Sequence, residues 1–395
     1  MKQVCKKGNE NVFMIIKIYH FHNGSGGGVM AVIRNLVKFS RNPAIQNHII
    51  YTINKHEQPA YSVNNLEGAF SEKVFYYSPK WNFYHTCRKL SKLLPDEKSV
   101  IVCHDWLELG MISNLGLQNP VVFFLHGSYD YYYQLAQKHE PAIDQFICVA
   151  QNIETKLLTF IHHRKDNVVY LRFPVPRINS TKVLQQHCNI IFVGRLSIDK
   201  GYPLLPMIAA ILCRQNINVM WHIAGTALTD TDTVVWDKKI NVHFYGNLSN
   251  ERLLELLKDM KILILPSLAE GMPVAVIEAM KAGVIPVVSD IDGGIQELVI
   301  NNETGYKING NQPEGYAEKI IELVTNHTLT ETLKHNCIQK ANLLFDPVEN
   351  TVRIEEQFIK VFSTVKKKKK SKKIYGSTLD QPWIPNVITQ SARSI

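Results

Sequence analysis

LPSLAEGMPVAVIEAMKAGVIPVVSDIDGGIQELVINNETGY, residues 265–306, combines strand-like and helix-like patterns in one continuous segment. The apolar run KILILPS (261–267) leads into it, and VIPVVSD (284–290) lies within it. Short apolar runs of this kind are typical of strands that are buried on both faces. The segment from Pro273 to Met280 lies between the two runs and predicts a helix. Strands that alternate with helices indicate an α/β fold with a parallel sheet.

Two glutamates in this segment, Glu270 and Glu278, are separated by seven residues. We expect Glu270 in the turn before the helix and Glu278 about two turns inside it. The free N–H groups at a helix N-terminus attract phosphate oxygens and sugar hydroxyls. A carboxylate at each end of such a ligand can bind vicinal diols, so the arrangement favours a nucleotide sugar.

A second motif, GRLSIDKGYPLL (194–205), follows a predicted strand that ends at Val193. Arg195 and Lys200 are thereby expected at the carboxyl edge of a parallel sheet, where ligands bind in open α/β folds. Arginine can hold a diphosphate with two parallel hydrogen bonds, and lysine adds a point charge. Taken alone, the motif favours a solvated surface cluster with Asp199. Together with the two glutamates it favours a diphosphate site.

The amino-terminal part begins with a strand-like run, MIIKIYHF (14–21), followed by a glycine cluster (24–28) and a helix-like run (29–40). This order brings backbone N–H groups onto a phosphate. The sequence lacks GK[ST], which argues against a P-loop enzyme. Residues 26–31 match GxGxxA, but a dinucleotide-binding fold also needs an acid near the end of the second strand, where this chain has Asn54. A flexible turn and a nicotinamide site remain as alternatives to the phosphate-facing turn of a sugar-nucleotide enzyme, which we favour.

The pattern restarts after residue 187, so the 395-residue chain is predicted to form two α/β domains. The predicted units are an amino-terminal domain (1–175), a carboxy-terminal domain (176–346), a helix (347–362) that packs back on the first domain, and a basic disordered tail (363–395). The segment 172–182, with its two prolines, is expected to act as a hinge.

The net charge of +9 is concentrated in the tail, where seven lysines and Arg393 face the single acid Asp380. The rest of the chain is nearly neutral, which argues against a nucleic-acid groove. The run Lys366–Lys373 predicts either contact with an anionic membrane surface or a solvated tail without a role. Scattered cysteines and the lack of an apolar run of about 18 residues favour a cytoplasmic protein, with a peripheral position at the inner face of the membrane as an option.

In this order, the glycine cluster, GRLxxxKG and EGMPVAVIEAM resemble the GT-B glycosyltransferases of family 4. The resemblance covers most of residues 12–362 and is strongest over 189–306. It implies two Rossmann-like doubly wound domains that face a central cleft, the amino-terminal domain on the acceptor side and the carboxy-terminal domain on the nucleotide-sugar donor side. It also implies a retaining hexosyltransferase that moves a sugar from a UDP- or GDP-sugar to a hydroxyl of a glycan or lipid-linked acceptor, in the synthesis of cell-surface polysaccharide, lipopolysaccharide or glycolipid. No cofactor or metal is implied, and we interpret the DxD at 230–232 as a loop, with a cation contact as the alternative.

The resemblance also implies roles for particular residues. Gly26 and Gly27 would form a loop over the donor diphosphate, and Arg195 and Lys200 would bind that diphosphate. Glu270, together with the amides of Gly271 and Met272, would bind the donor sugar. Glu278 would bind the ribose. His126 matches a histidine near the transferred sugar, with a structural histidine as the alternative. His104, Asp105 and Trp106, at the end of another predicted strand, are expected to face the acceptor, with a packing role as the alternative for Trp106.

Two other interpretations of the chain stay open at this point. A binding protein that kept the fold and lost turnover is disfavoured by the joint presence of Arg195, Lys200, Glu270 and Glu278. A nucleotide-sugar epimerase of the same fold is disfavoured by the combination of EGMPVAVIEAM with GRLxxxKG.

Overall fold

The structure is a computed structural model, and it describes residues 14–25, 27–57, 66–178, 188–226, 234–310, 312–365 and 376–394. Two separate parallel sheets organise these residues, one formed by the amino half of the chain and one by the carboxy half. The expected α/β architecture with two doubly wound sheets is confirmed.

The amino half contains a seven-stranded parallel sheet of order β3-β2-β1-β4-β5-β6-β7. Its strands are β1 (Ile16–His22), β2 (Ile45–Asn54), β3 (Ser71–Tyr77), β4 (Val100–Cys103), β5 (Val121–Leu125), β6 (Gln145–Cys148) and β7 (Val168–Tyr170). Its helices are α1 (Gly28–Phe39), α2 (Phe83–Ser91), α3 (Trp106–Leu115), α4 (Asp130–His139) and α5 (Gln151–Phe160). The strand order reverses between β1 and β4, and the loops after those strands diverge there into a crevice.

The carboxy half contains a six-stranded parallel sheet of order β10-β9-β8-β11-β12-β13. Its strands are β8 (Cys188–Val193), β9 (Val219–Ala224), β10 (Val242–Gly246), β11 (Ile262–Leu265), β12 (Ile285–Ser289) and β13 (Tyr306–Ile308). Its helices are α6 (Leu204–Arg214), α7 (Asn250–Leu257), α8 (Val274–Ala282), α9 (Ile295–Leu298), α10 (Pro313–Thr325) and α11 (His327–Leu344). Here the order reverses between β8 and β11, which places the loops carrying the second and third motifs side by side.

Central strands in both sheets are buried on both faces, as their unbroken apolar sequences indicate. All five residues of β5 and all four of β11 are buried. Helices on either side of each sheet exclude water from these strands, which is the usual reason for a run without polar alternation.

A buried lysine ties the connection between the two halves to α8. The Lys281 ammonium donates hydrogen bonds to the carbonyls of Val175 (2.7 Å) and Phe345 (2.8 Å). Burial lowers the pKa of Lys281 to about 8. Asn35 on α1 contributes a further bond to the carbonyl of Pro174. Both ends of the carboxy half are thus held at one point on α8.

The helix expected at 347–362 runs from Pro347 to Thr364 (α12) and contacts α1, β1, β4 and β5 of the amino half. Asp346 caps its N-terminus by accepting hydrogen bonds from the amides of Val348 and Glu349. Glu355, buried on this helix, accepts a hydrogen bond from the Ser40 hydroxyl. The carboxy-terminal helix therefore completes the amino half.

The prediction of disorder across residues 363–395 is wrong for residues 376–394. These residues, the carboxy-terminal segment, include helix α13 (Asn386–Ala392) and dock beside α2. The side-chain amide of Asn82 donates hydrogen bonds to the carbonyls of Leu379, Gln381 and Ile384. The segment is held by polar contacts to a distant loop, so its lack of apolar periodicity is no sign of disorder. Lys366–Lys373 lies outside the described residues.

Within the described ranges, the chain forms no helix of the length and apolarity that a bilayer crossing requires.

Candidate active site

The loops after the neighbouring strands β8 and β11 bring Lys200 and Glu270 together. The Lys200 ammonium lies 2.7 Å from Oε1 of Glu270, and the Ser267 hydroxyl donates to the same oxygen at 2.7 Å. Both partners are largely withdrawn from solvent, with 16% and 9% of their side chains exposed. The two residues that the sequence assigned to diphosphate and sugar are therefore in direct contact.

Arg195, also placed after β8, makes a separate ion pair. Its guanidinium lies 2.7 Å from Oδ2 of Asp199, and about half of each side chain is exposed. The solvated cluster considered from the sequence thus exists for Arg195 and Asp199, whereas Lys200 turns away from it towards Glu270. The role of Arg195 at a diphosphate stays a prediction.

Glu278 lies on α8 about one turn after Val274, not the two turns expected, because the helix begins after Pro273. It is buried, and Asn250 at the start of α7 donates to its Oε1 at 2.9 Å. Burial raises the pKa of Glu278, opposed by the bond from Asn250 and by the charge of Arg34. A ligand hydroxyl that reaches this carboxylate would meet an acceptor already oriented by an amide.

Helix N-termini from both halves meet at this edge. A β-carbon on Gly28, the first residue of α1, would lie 3.4 Å from Cγ2 of Val274, the first residue of α8. Within the described residues, neither N-terminus has a side-chain cap; the preceding residues are Gly27 and Pro273. Two sets of free amides with the positive ends of two helix dipoles suit an anion such as a diphosphate. Gly26 lies outside the described residues.

His126 follows β5 and pairs with His104 after β4, with 2.8 Å between Nε2 of His126 and Nδ1 of His104. Burial lowers the pKa of His126 to about 3, and nearby His22 adds to the shift. Burial also lowers the pKa of His104. Both rings are therefore neutral at physiological pH, so that one nitrogen of the pair donates and the other accepts. Such a pair can orient a hydroxyl but supplies no cation.

The two halves touch where His126 meets the Glu270 loop. A β-carbon on Gly271 would lie only 2.0 Å from the carbonyl oxygen of His126, so only glycine permits this approach. The Tyr129 hydroxyl, three residues after His126, donates to the carbonyl of Ala269 at 3.1 Å. Met272, the next residue of the loop, is buried. The predicted histidine and the predicted donor loop thus lie side by side.

Asp105 and Trp106 occupy the start of α3. The Asp105 carboxylate caps that helix and accepts hydrogen bonds from the Tyr131 hydroxyl and the Asn23 amide. Glu108 completes the cap from within, and burial followed by repulsion from Asp105 raises the pKa of Glu108 to about 8. Asp105 is therefore engaged in the local structure, while Trp106 keeps 38% of its surface exposed.

No group of three or more histidine, cysteine, aspartate or glutamate side chains in the described part of the chain is arranged to hold a metal ion. Residues 230–232, with the DxD sequence, lie outside that part.

Sequence reasoning missed Asn250, Tyr129 and the pairing of His104 with His126. Asn250 is the first residue of α7, four residues after β10 ends, and Tyr129 follows His126 by three residues. Each lies just beyond the carboxyl end of a predicted strand, and polar residues at that edge are the signal that could have found them.

Residues 181–343 match the family model "Glycosyl transferases group 1". A capsular polysaccharide biosynthesis glycosyltransferase, CapM, from Staphylococcus aureus is 27% identical over 39% of this chain and 41% of its own length. An N,N'-diacetylbacillosaminyl-diphospho-undecaprenol alpha-1,3-N-acetylgalactosaminyltransferase from Campylobacter jejuni is 31% identical over 44% of this chain and 48% of its own length. The chain thus spans less than half of either relative.

The solved structure of HepE from Anabaena, in complex with UDP and glucose, superposes with a TM-score of 0.71. It covers 87% of this chain and all of HepE at 18% identity, so the likeness establishes the fold. The chain therefore has the GT-B fold, and its residues 181–343 are similar to the glycosyl transferases group 1 family.

Proposed function

We propose that this protein is a retaining glycosyltransferase that moves a sugar from a UDP- or GDP-sugar to a hydroxyl of a glycan or lipid-linked acceptor. The observation that carries the proposal is the contact between Lys200 and Glu270, directly before Gly271, whose backbone lies against the His126 carbonyl. A cation suited to the diphosphate and a carboxylate suited to the sugar thus lie together, next to the amino half of the chain.

Binding of the donor follows from the charges around this point. The diphosphate accepts hydrogen bonds from the free amides at the N-termini of α1 and α8. Lys200 and Arg195 also bind phosphate oxygens, which partly replace their carboxylate partners Glu270 and Asp199. Glu278 receives the ribose hydroxyls, and Glu270, with the Gly271 and Met272 amides beside it, receives those of the sugar. HepE was solved with UDP and glucose, which supports a nucleotide-sugar ligand for this fold.

Transfer breaks the bond between the anomeric carbon and the diphosphate oxygen, and the acceptor oxygen bonds to that carbon on the same face. The acceptor proton passes to the departing diphosphate oxygen. Lys200 and Arg195 stabilise the charge that develops on the diphosphate, so the proposal requires no metal ion. Glu270 serves to bind the sugar, since Lys200 and Ser267 hold the same carboxylate oxygen. Neutral His126 orients a hydroxyl.

The acceptor class is inferred from relatives. CapM is named for capsular polysaccharide synthesis, and the Campylobacter enzyme is named for a diphospho-undecaprenol-linked acceptor. Both names support a cell-surface glycan or its lipid-linked precursor as the acceptor.

Thermal melting of the purified chain with UDP, GDP, ADP and their sugars tests the donor site. At a ligand concentration of about 100 times Kd, binding adds roughly 2.7 kcal/mol to the free energy of unfolding. We expect one nucleotide series to raise Tm and Glu278→Gln, which keeps the side-chain volume, to remove most of the rise.

Glu355→Gln is the matched control, because Glu355, like Glu278, is a buried glutamate that accepts a side-chain hydrogen bond, here from the Ser40 hydroxyl, but it lies on α12. It should keep the full ligand-dependent rise. If no nucleotide raises the Tm of the unsubstituted chain, the proposal is contradicted. The chain would then be better described as a binding protein that lost the donor site.

Membrane association through Lys366–Lys373 stays a prediction. The test is flotation with phosphatidylserine vesicles of the full chain against a full-length variant with these seven lysines changed to serine. Truncation is unsuitable, because residues 376–394 dock on the amino half. Equal flotation of both proteins would remove the lysines from the account.

A further inference from the structure

A cavity of about 290 Å³ opens on the amino half near the start of α3. It lies between the loop after β3, the first turns of α2 and α3, the end of α4 and the carboxy-terminal segment. Trp106 lines this cavity and lies two residues after His104, a member of the histidine pair. The Cα atoms of Trp106 and His104 are therefore at most about 7 Å apart. The cavity is therefore a neighbour of the candidate active site on the acceptor side.

Aromatic rings form the floor of this cavity. Trp106 stacks on Phe83 with ring centres 5.2 Å apart, and Tyr77 meets Trp106 edge-on at 6.4 Å. Gly110 makes the stack possible, because a β-carbon there would lie 2.3 Å from Cζ of Phe83. Trp81 adds a further ring, with the Lys55 and Lys89 ammonium groups about 5 Å from its centre.

The carboxy-terminal segment supplies the opposite wall through Asp380 and Arg393. The buried Asp380 carboxylate accepts hydrogen bonds from the Phe83 amide (2.7 Å) and from the Arg393 guanidinium (2.8 Å). Burial alone would raise the pKa of Asp380, but these bonds and the one from Ser377 lower it overall. Arg393 also donates to the carbonyls of Pro79 and Trp81. The wall is therefore anchored to the same loop that carries the aromatic floor.

The chemistry of this lining selects a particular class of ligand. The ring hydrogens of a pyranose form an apolar face that packs on an aromatic surface, while its hydroxyls reach polar groups at the rim. Sites of this kind are concave and largely aromatic, with a few oriented polar groups. The partly exposed Trp106 and the exposed polar lining residues Lys138 and Ser377 meet both requirements.

We propose that this cavity binds a pyranose ring of the acceptor glycan and that the carboxy-terminal segment is one of its walls. The assignment to the acceptor rests on the proposed function. Binding of the ring itself depends only on the cavity.

Saturation-transfer NMR with three probes tests the cavity directly: methyl α-D-glucopyranoside and the methyl α-glycosides of N-acetylglucosamine and N-acetylgalactosamine. Spectra are recorded with and without saturating UDP and GDP, so that a signal from the donor site is displaced. We expect at least one glycoside to keep its signal with both nucleotides present. The signal should fall about fivefold or more in Trp81→Ala and in Asp380→Ala, a loss equivalent to roughly 1 kcal/mol.

Trp383→Ala is the matched control, because Trp383 belongs to the same segment but is 74% exposed and lies outside the lining. It should keep the full signal, and thermal melting of each variant checks that the fold is intact. Signals that nucleotides abolish, or that Trp81→Ala leaves unchanged, overturn the site. A signal lost in Trp81→Ala but kept in Asp380→Ala overturns the role of the segment.

The same spectra separate this inference from the proposed function. Binding of UDP or GDP without any glycoside signal contradicts the cavity assignment alone. A glycoside signal that depends on Trp81, in a chain that binds neither nucleotide, supports the cavity and contradicts the donor site.

Discussion

Lys200→Met should lower the rate of nucleotide-sugar cleavage by about 10²- to 10³-fold, the usual effect of removing one group that stabilises charge in a transition state. The lysine is well placed for this role, since it lies largely buried beside Glu270. The rate is measured as release of the nucleoside diphosphate from the sugar nucleotide that the melting experiment identifies.

The same substitution should also destabilise the protein by about 3 kcal/mol, because it leaves the Glu270 carboxylate buried without its cation. Adding Glu270→Gln removes that charge and keeps an oxygen for the Ser267 hydroxyl. We expect the double variant to regain most of the stability but none of the activity. Recovery of activity along with stability would show that Lys200 acts only through the fold.

Gly271→Ala should reduce activity by about 100-fold or more. Its methyl group would lie 2.0 Å from the His126 carbonyl oxygen and 2.7 Å from Cα of Gly127. The loop that carries Glu270 and the segment after β5 that carries His126 must therefore move apart. A displacement of about 1 Å at reacting groups typically costs about 10² in rate. Donor cleavage by purified Gly271→Ala, compared with the unsubstituted chain, measures the effect.

Leu268→Ala is the control for the loop, because Leu268 is 48% exposed two residues before Glu270. It should cleave the donor at the unsubstituted rate. Normal turnover by Gly271→Ala would mean that the contact between the halves is not part of the working geometry.

The fold and the residues that meet in the candidate site were predictable, because both depend on local pattern. Apolar runs ending in polar turns placed β8 and β11, and the loops after adjacent parallel strands share one edge of the sheet. The proximity of Lys200 and Glu270 follows from that geometry. Their direct ion pair does not, since the sequence contains no information on which carboxylate turns towards which cation.

Contacts between distant parts of the chain were beyond prediction. The carboxy-terminal segment looked disordered because its sequence is sparse and polar, yet its partner Asn82 lies about 300 residues away. Likewise, the alternation of strands placed His104 and His126 at one edge, but burial of both rings decides that they are neutral. Such properties depend on tertiary packing, and single-sequence patterns do not report it.

The most direct test of retaining transfer is the anomeric configuration of the first product. The chain is incubated with its donor nucleotide sugar and EDTA, and proton NMR follows the free sugar formed by slow transfer to water, before the anomers interconvert. We expect the first sugar to keep the configuration of the donor, and we expect EDTA to leave the rate unchanged. A first product of inverted configuration would contradict it.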